Sequence, residues 1–141
     1  MAVVPFCHPH RVTYAECTLG NHVYYARHLD WLEEARGEFF RELGTSFAAL
    51  QQQEIIFPVV ECRLRYKSPA RYDDVLSIEV WPTNLERVRL NFGYRITDAA
   101  GKVVLEAETW HACSGLDERP KRLPESLRAM LSARLPVAST A

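Results

Sequence analysis

Between residues 87 and 96 the chain alternates: Val88, Leu90, Phe92, Tyr94 and Ile96 fall on one side, with Arg87, Arg89, Asn91 and Arg95 between them. A two-residue period of this kind demands an extended strand with one dry and one wet face, so something must cover the apolar side of its sheet. Leu76, Ile78 and Val80 alternate with Ser77 and Glu79 in the same way. Residues 103–113 continue the pattern after Asp98-Ala-Ala-Gly101, a glycine-based turn that predicts a hairpin. Residues 54–66, rich in Ile, Val and Phe, predict a further strand. The cover is a single long helix predicted over residues 23–43, entered through Asn21 as N-cap and ended at Gly44. Its Leu29, Leu32, Ala35, Phe39, Phe40 and Leu43 spread over a wide arc, as expected of a helix enclosed by a sheet. A connector through Gln51-Gln52-Gln53 follows, and residues 123–135, between Pro124 and Pro136, predict a short closing helix. One early helix followed by antiparallel strands reads as an α+β fold, with a sheet of about five strands around a central helix.

Composition narrows the function classes. A chain of 141 residues supports one domain with one core, here residues 1–141. The net charge of −1 gives no general attraction to nucleic acid, and no apolar run is long enough for a membrane span. The N-terminus lacks the basic start and apolar stretch of a signal peptide, which makes a cytoplasmic location the expectation. Cys7, Cys17, Cys62 and Cys113 have no C-x-x-C spacing and read as small hydrophobes rather than disulfides. His8 and His10 form an H-x-H pair with no close Cys or carboxylate in sequence to complete a metal site, so solvated histidines are expected there.

The stretch from Val12 to Arg36 carries the chemistry. It reads as a short strand, a tight polar turn through Leu19-Gly-Asn-His22, and a helix containing Glu33-Glu-Ala-Arg36. With Tyr66-Lys-Ser-Pro-Ala-Arg-Tyr-Asp-Asp-Val75 as a turn between two strands, this resembles the hotdog-fold acyl thioesterases of the 4-hydroxybenzoyl-CoA thioesterase-like and YbgC-like group. The resemblance implies a curved sheet wrapped around a central helix. It also implies hydrolysis of an acyl-CoA or acyl-carrier-protein thioester, no metal or redox cofactor, and a homodimer or homotetramer with sites at the subunit interface. In that pattern an aspartate stands seven residues before the helix residue whose N–H polarises the thioester carbonyl. Counting back from Tyr25, the aspartate's position holds Thr18.

A threonine has no pKa suited to a general base. Thr18 therefore either positions water, leaves the task to another carboxylate, marks a protein that binds thioesters without hydrolysing them, or satisfies the turn's own backbone. Glu33 is the leading substitute carboxylate, and Glu16 a weaker one. Arg36 matches the arginine of the enediyne polyketide thioesterases, which resemble this chain in lacking the acid, and it can also pair with Glu33 at i,i+3. The catalytic candidates are thus Thr18, Tyr25, Arg36 and Glu33. The candidate substrate contacts are Asn21, His22 and Tyr24 near the turn, with Lys67 and Arg71 for the phosphates of the carrier. Tyr25, His28 and Trp31 either line an acyl pocket with Tyr24 or belong to the core. Arg63, Arg65, Arg87, Arg89 and Arg95 are further basic residues that suit phosphate or simply face solvent. Cys17 has no histidine placed by the sequence to activate it. The rivals to a thioesterase are a non-catalytic acyl-thioester-binding or protein-interaction hotdog protein, and a hotdog dehydratase, whose usual histidine-centred motif is not found.

Overall fold

The computed structural model describes residues 4–136. Five antiparallel strands form one sheet: β1 (Phe6–Arg11), β2 (Val59–Tyr66), β3 (Val75–Leu85), β4 (Arg89–Thr97) and β5 (Val103–Ala112), in the spatial order β1-β3-β4-β5-β2. The helix α1 (Arg27–Glu42) lies against the sheet; α2 (Phe47–Gln52) and α3 (Glu125–Ser132) are short. This is the α+β architecture that the resemblance implies.

The strand alternation holds residue by residue. Leu76, Ile78 and Val80 of β3, Leu90, Phe92, Tyr94 and Ile96 of β4, and Leu105 and Ala107 of β5 all point into the core. Helix α1 meets them with Trp31, Leu32, Ala35, Phe39 and Phe40, and Phe92 packs edge-on to Phe39 at 6.2 Å and to Phe40 at 6.0 Å. The turn before β5 is held by Asp98, whose Oδ1 accepts the N–H groups of Ala100 and Lys102, with Gly101 at φ 84°.

Several expectations need correction. Helix α1 starts at Arg27, not 23, and its N-cap is Ala26, not Asn21. Thr18 N–H donates to the His22 carbonyl and Tyr24 N–H to that of Glu16, so residues 16–24 form a miniature hairpin, closed by a 3-10 turn at Leu19–Asn21, where the sequence predicts the start of the α-helix. Asn21 sits in the left-handed region at φ 61°, inside the hairpin's turn. The first strand lies at Phe6–Arg11, upstream of the predicted one, while Tyr14–Glu16 is a single 3-10 turn. The predicted connector contains α2, capped by Ser46, and β2 begins at Val59 rather than 54. Helix α1 packs against the sheet, and its Leu29, Asp30, Glu33 and Glu34 are exposed in the single chain. Strand β5 is paired on both sides, and the edges of the sheet are β1 and β2. His8 and His10 are not loose solvated residues. They lie on β1, with His8 Nε2 and His10 Nδ1 at 3.2 and 3.3 Å from Glu34 Oε2, and His10 Nε2 at 3.0 Å from Glu16 Oε1.

Phe92, fully buried between β4 and α1, tests this packing. Phe92→Ala is expected to cost about 3–5 kcal/mol of unfolding free energy, as large-to-small core changes do. Urea denaturation followed by tryptophan fluorescence measures it.

Candidate active site

The hairpin at residues 16–24 sets the site. Glu16 anchors it: one carboxylate oxygen accepts Thr13 N–H at 2.8 Å and faces His10, while the other accepts the indole N–H of Trp31. Burial pushes the Glu16 pKa up, but the bonds from Thr13, Trp31 and His10 outweigh it and leave the group below the usual carboxylate value. This carboxylate is committed to holding the turn, which removes Glu16 as a substitute base.

The Thr18 side chain donates to the His22 carbonyl at 3.0 Å. Its hydroxyl hydrogen thus serves the turn, and its lone pairs stay open to solvent. Asn21 Oδ1 accepts Tyr72 N–H at 3.1 Å, and His22 bridges Arg71 through the backbone, so the turn is docked on the loop after β2.

Behind the turn lies a cavity of about 320 Å³ whose walls include His22, Tyr25, His28, Tyr66 and Lys67. The Tyr25 carbonyl accepts the Tyr66 hydroxyl at 2.8 Å and faces His28 Nδ1 at 3.0 Å, which pins the backbone at the entry to α1. The Tyr25 N–H donates to nothing among the described residues. A fixed N–H without a partner, beside the positive end of a 16-residue helix, is what an oxyanion needs. The Tyr24 ring leans on Tyr25 at 4.8 Å and is half exposed. Arg71 stands outside the cavity wall.

Glu33 and Arg36 are elsewhere. They border a second cavity of about 260 Å³, lined mainly by apolar groups including Phe40, Leu50, Ile55, Phe57 and Phe92. Eleven residues of chain, mostly helix, separate Tyr25 from Arg36, roughly 16 Å at 1.5 Å per residue. Within one chain the two do not share a cavity. Among the described residues Arg36 makes no ion pair with Glu33 or any other carboxylate. It is 8% exposed and donates to the Tyr94 hydroxyl at 3.1 Å.

That bond begins a buried chain which the sequence did not suggest. Tyr94 Oη and Thr109 Oγ1 are 2.7 Å apart, Thr109 Oγ1 and His111 Nε2 2.7 Å, and His111 Nδ1 and the Phe57 carbonyl 3.0 Å. The carbonyl can only accept, so Nδ1 carries the hydrogen and Nε2 accepts from Thr109; Thr109 then accepts from Tyr94, and Tyr94 from Arg36. Every hydroxyl is used once each way. The arrangement requires a neutral His111, and burial followed by the charge of Arg36 lowers its pKa to about 4. The signal was present in β5, where Thr109 and His111 occupy inward positions of an apolar strand.

Arg63, Arg65 and Arg95 lie on the other face of the sheet, in a groove with Trp81, Glu106 and Glu108, and Arg95 stands 3.9 Å from Glu106. They are not brought near Tyr25. Cys17 lies against its own turn, with Sγ 3.5 Å from the Thr13 carbonyl. Among the described residues no cluster of His, Cys, Asp and Glu could hold a metal ion, and no helix is long and apolar enough to cross a membrane.

The profile of the thioesterase-like superfamily matches residues 12–131. The acyl-CoA thioester hydrolase YbgC of Escherichia coli is 34% identical over 122 residues, covering 86% of this chain and 91% of that protein. Among solved structures, a probable thioesterase from Bartonella henselae is 26% identical, with a TM-score of 0.81 over 86% of this chain and 100% of that one. A DHNA-CoA thioesterase from Staphylococcus aureus is 25% identical, with a TM-score of 0.85 over 90% and 88%.

Burial lowers the pKa of both His111 and His28, so the unfolded chain binds more protons than the folded one as pH falls below 6.5. The stability that the neutral rings contribute is complete above 6.5 and is lost towards pH 4, by at most about 3 kcal/mol for His111 at 1.36 kcal/mol per pH unit. Urea midpoints at pH 7, 5.5 and 4.5 are expected to fall steadily; a constant midpoint would contradict this charge assignment.

Proposed function

Because this chain belongs to the thioesterase-like superfamily, we propose that it hydrolyses an acyl-CoA thioester at the head of α1. The single observation that carries the reading is the unpartnered N–H of Tyr25, a residue that lines a cavity beside the helix's positive end. The thioester carbonyl lies against this N–H, and attacking water lies beside the lone pairs of Thr18. Lys67, on the same wall, is placed for a phosphate of coenzyme A, with Arg71 near the rim. His22, Asn21 and Tyr24 shape the entrance. An acyl group on a carrier protein presents the same thioester and is the variant reading. Coenzyme A chemistry and four free cysteines favour a reducing cytoplasm.

The second cavity supplies the acyl chamber once two chains assemble. Strand β2 is an open edge with Val59, Val60 and Tyr66 exposed, and edges of this kind pair. Its first residue, Val59, borders the chamber of Arg36 and Glu33, and its last, Tyr66, borders the cavity of Tyr25. Along eight residues of one strand these ends are about 23 Å apart at roughly 3.3 Å per residue. Antiparallel pairing of two β2 strands about a two-fold axis brings the first end of one beside the last end of the other. The partner's Arg36 then approaches the acyl group whose carbonyl lies at Tyr25, and Arg36 and Glu33 become contributors to a shared site.

Thiol release across a panel of acyl-CoA esters tests the activity. Turnover of at least one ester is expected; binding without turnover would favour the non-catalytic reading that Thr18 raises. Assembly has its own test, because Val60→Lys places a charge on the β2 edge without touching the core. The variant should become monomeric by light scattering and lose most of its hydrolytic rate, and a fully active monomer would contradict the shared site.

A further inference from the structure

The cavity at the head of α1 holds one nitrogen that the reading so far leaves unused. His28 is only 4% exposed and forms part of the wall beside Tyr25, Tyr66 and Lys67. Its Nδ1 lies 3.0 Å from the Tyr25 carbonyl, which only accepts, so Nδ1 bears the hydrogen. In the neutral ring this leaves Nε2 with a bare lone pair. No buried side-chain nitrogen or oxygen among the described residues lacks a partner. Since Nε2 bonds to none of them, it opens onto the cavity rather than into the core. The ring is held between Trp31, at 4.7 Å, and Tyr66, edge-on at 4.9 Å. Burial keeps its pKa below the ordinary histidine value, against the opposing pulls of the Tyr25 carbonyl and the Glu16 carboxylate. The other titratable groups around it are Lys67, His22, Tyr25 and Tyr66. At neutral pH the ring is an unprotonated base.

We propose that His28 is the general base of this site, standing in for the carboxylate that Thr18 replaces. The inference rests on the thioesterase reading above. As the water oxygen forms its bond to the acyl carbon, one water proton passes to His28 Nε2. The carbonyl π electrons move onto the oxygen that faces the Tyr25 N–H. The intermediate then collapses, the carbon–sulfur bond breaks, and the imidazolium returns its proton to the leaving thiolate. The products are the free acid and the free thiol, with no other reactant. Glu33 is not placed for this step in the same chain, because it borders different cavities.

His28→Asn separates the base from its structural contact, since an asparagine amide can still donate to the Tyr25 carbonyl while Nε2 is gone. The experiment measures thiol release from an acyl-CoA ester against pH for wild type and variant, with His28→Ala assayed with and without added imidazole. Wild-type kcat/KM should fall on the acid side with a midpoint below 6.5. His28→Asn should lower kcat by about 100-fold or more with little change in KM and no such acid limb, as loss of a general base does. Imidazole should restore part of the His28→Ala rate. A His28→Asn enzyme with the wild-type rate would overturn the proposal. So would a slow variant that keeps the acid limb, together with a His28→Ala enzyme deaf to imidazole, because both mark a structural residue. Failure of the wild type to hydrolyse any thioester would bring down the parent reading and this proposal with it.

Discussion

The Glu16 carboxylate is the contact on which the site depends. It binds the Thr13 N–H, the Trp31 indole and His10 at once, and so ties the 3-10 turn, helix α1 and strand β1 together. A carboxylate at this depth is costly to bury alone, and bonds to several donors offset that cost. With Glu16 fixed, residues 16–24 have one way to fold back, and the chain enters α1 with Tyr25 against Tyr66 and His28. The helix offers its positive end, and the hairpin sets the path by which the Tyr25 N–H reaches it. The same carboxylate lies behind His28 and opposes, without cancelling, the effect of burial on that ring.

Charge is distributed so that the two cavities differ in kind. The one at the helix head has a bare N–H, an ammonium and an unprotonated imidazole, the groups needed to polarise a carbonyl and move a proton. The other is mainly apolar, with Glu33, Gln51 and a guanidinium held by Tyr94 and, beyond it, by Thr109 and His111. That chain runs in a single direction only while His111 is neutral, so the hydrogen bond that holds Arg36 is linked through Tyr94 and Thr109 to a ring in the core. Strand β2 borders one cavity at each end, with Val59 at the first and Tyr66 at the second, and its outer edge is unpaired in the single chain.

The sheet and central helix were legible because they rest on periodicity. Phe92 and Tyr94 alternate with polar neighbours whatever their partners are, and the arc from Leu32 to Phe40 faces the sheet as it must. The hairpin was not legible, because Asn21 is as good a helix cap as it is a left-handed turn residue, and only the docking of Asn21 on Tyr72 decides between them. His8 and His10 looked like a loose pair because their carboxylates, Glu16 and Glu34, come from other segments. The candidate site was half readable. Thr18 lies in the hairpin and Tyr25 just before the first turn of α1, as a reading of the turn and helix start can suggest, but the separation of Arg36 from Tyr25 into different cavities follows from helix rise and strand order. His28 looked like one more core aromatic at helical spacing, and the direction of its Nδ1 bond is a fact of three dimensions alone.

On the proposed function the thioester carbonyl is held by the Tyr25 N–H at the head of α1. A crystal structure with a non-hydrolysable acyl-CoA analogue, in which a methylene ketone replaces the thioester, tests it most directly. The carbonyl oxygen should lie about 2.7–3.1 Å from the Tyr25 nitrogen, the range expected of an oxyanion donor, with the acyl chain directed towards the partner's Arg36. An analogue bound with its carbonyl in the Arg36 cavity of the same chain, or on the outer face of the sheet near Arg63 and Arg95, would contradict the account.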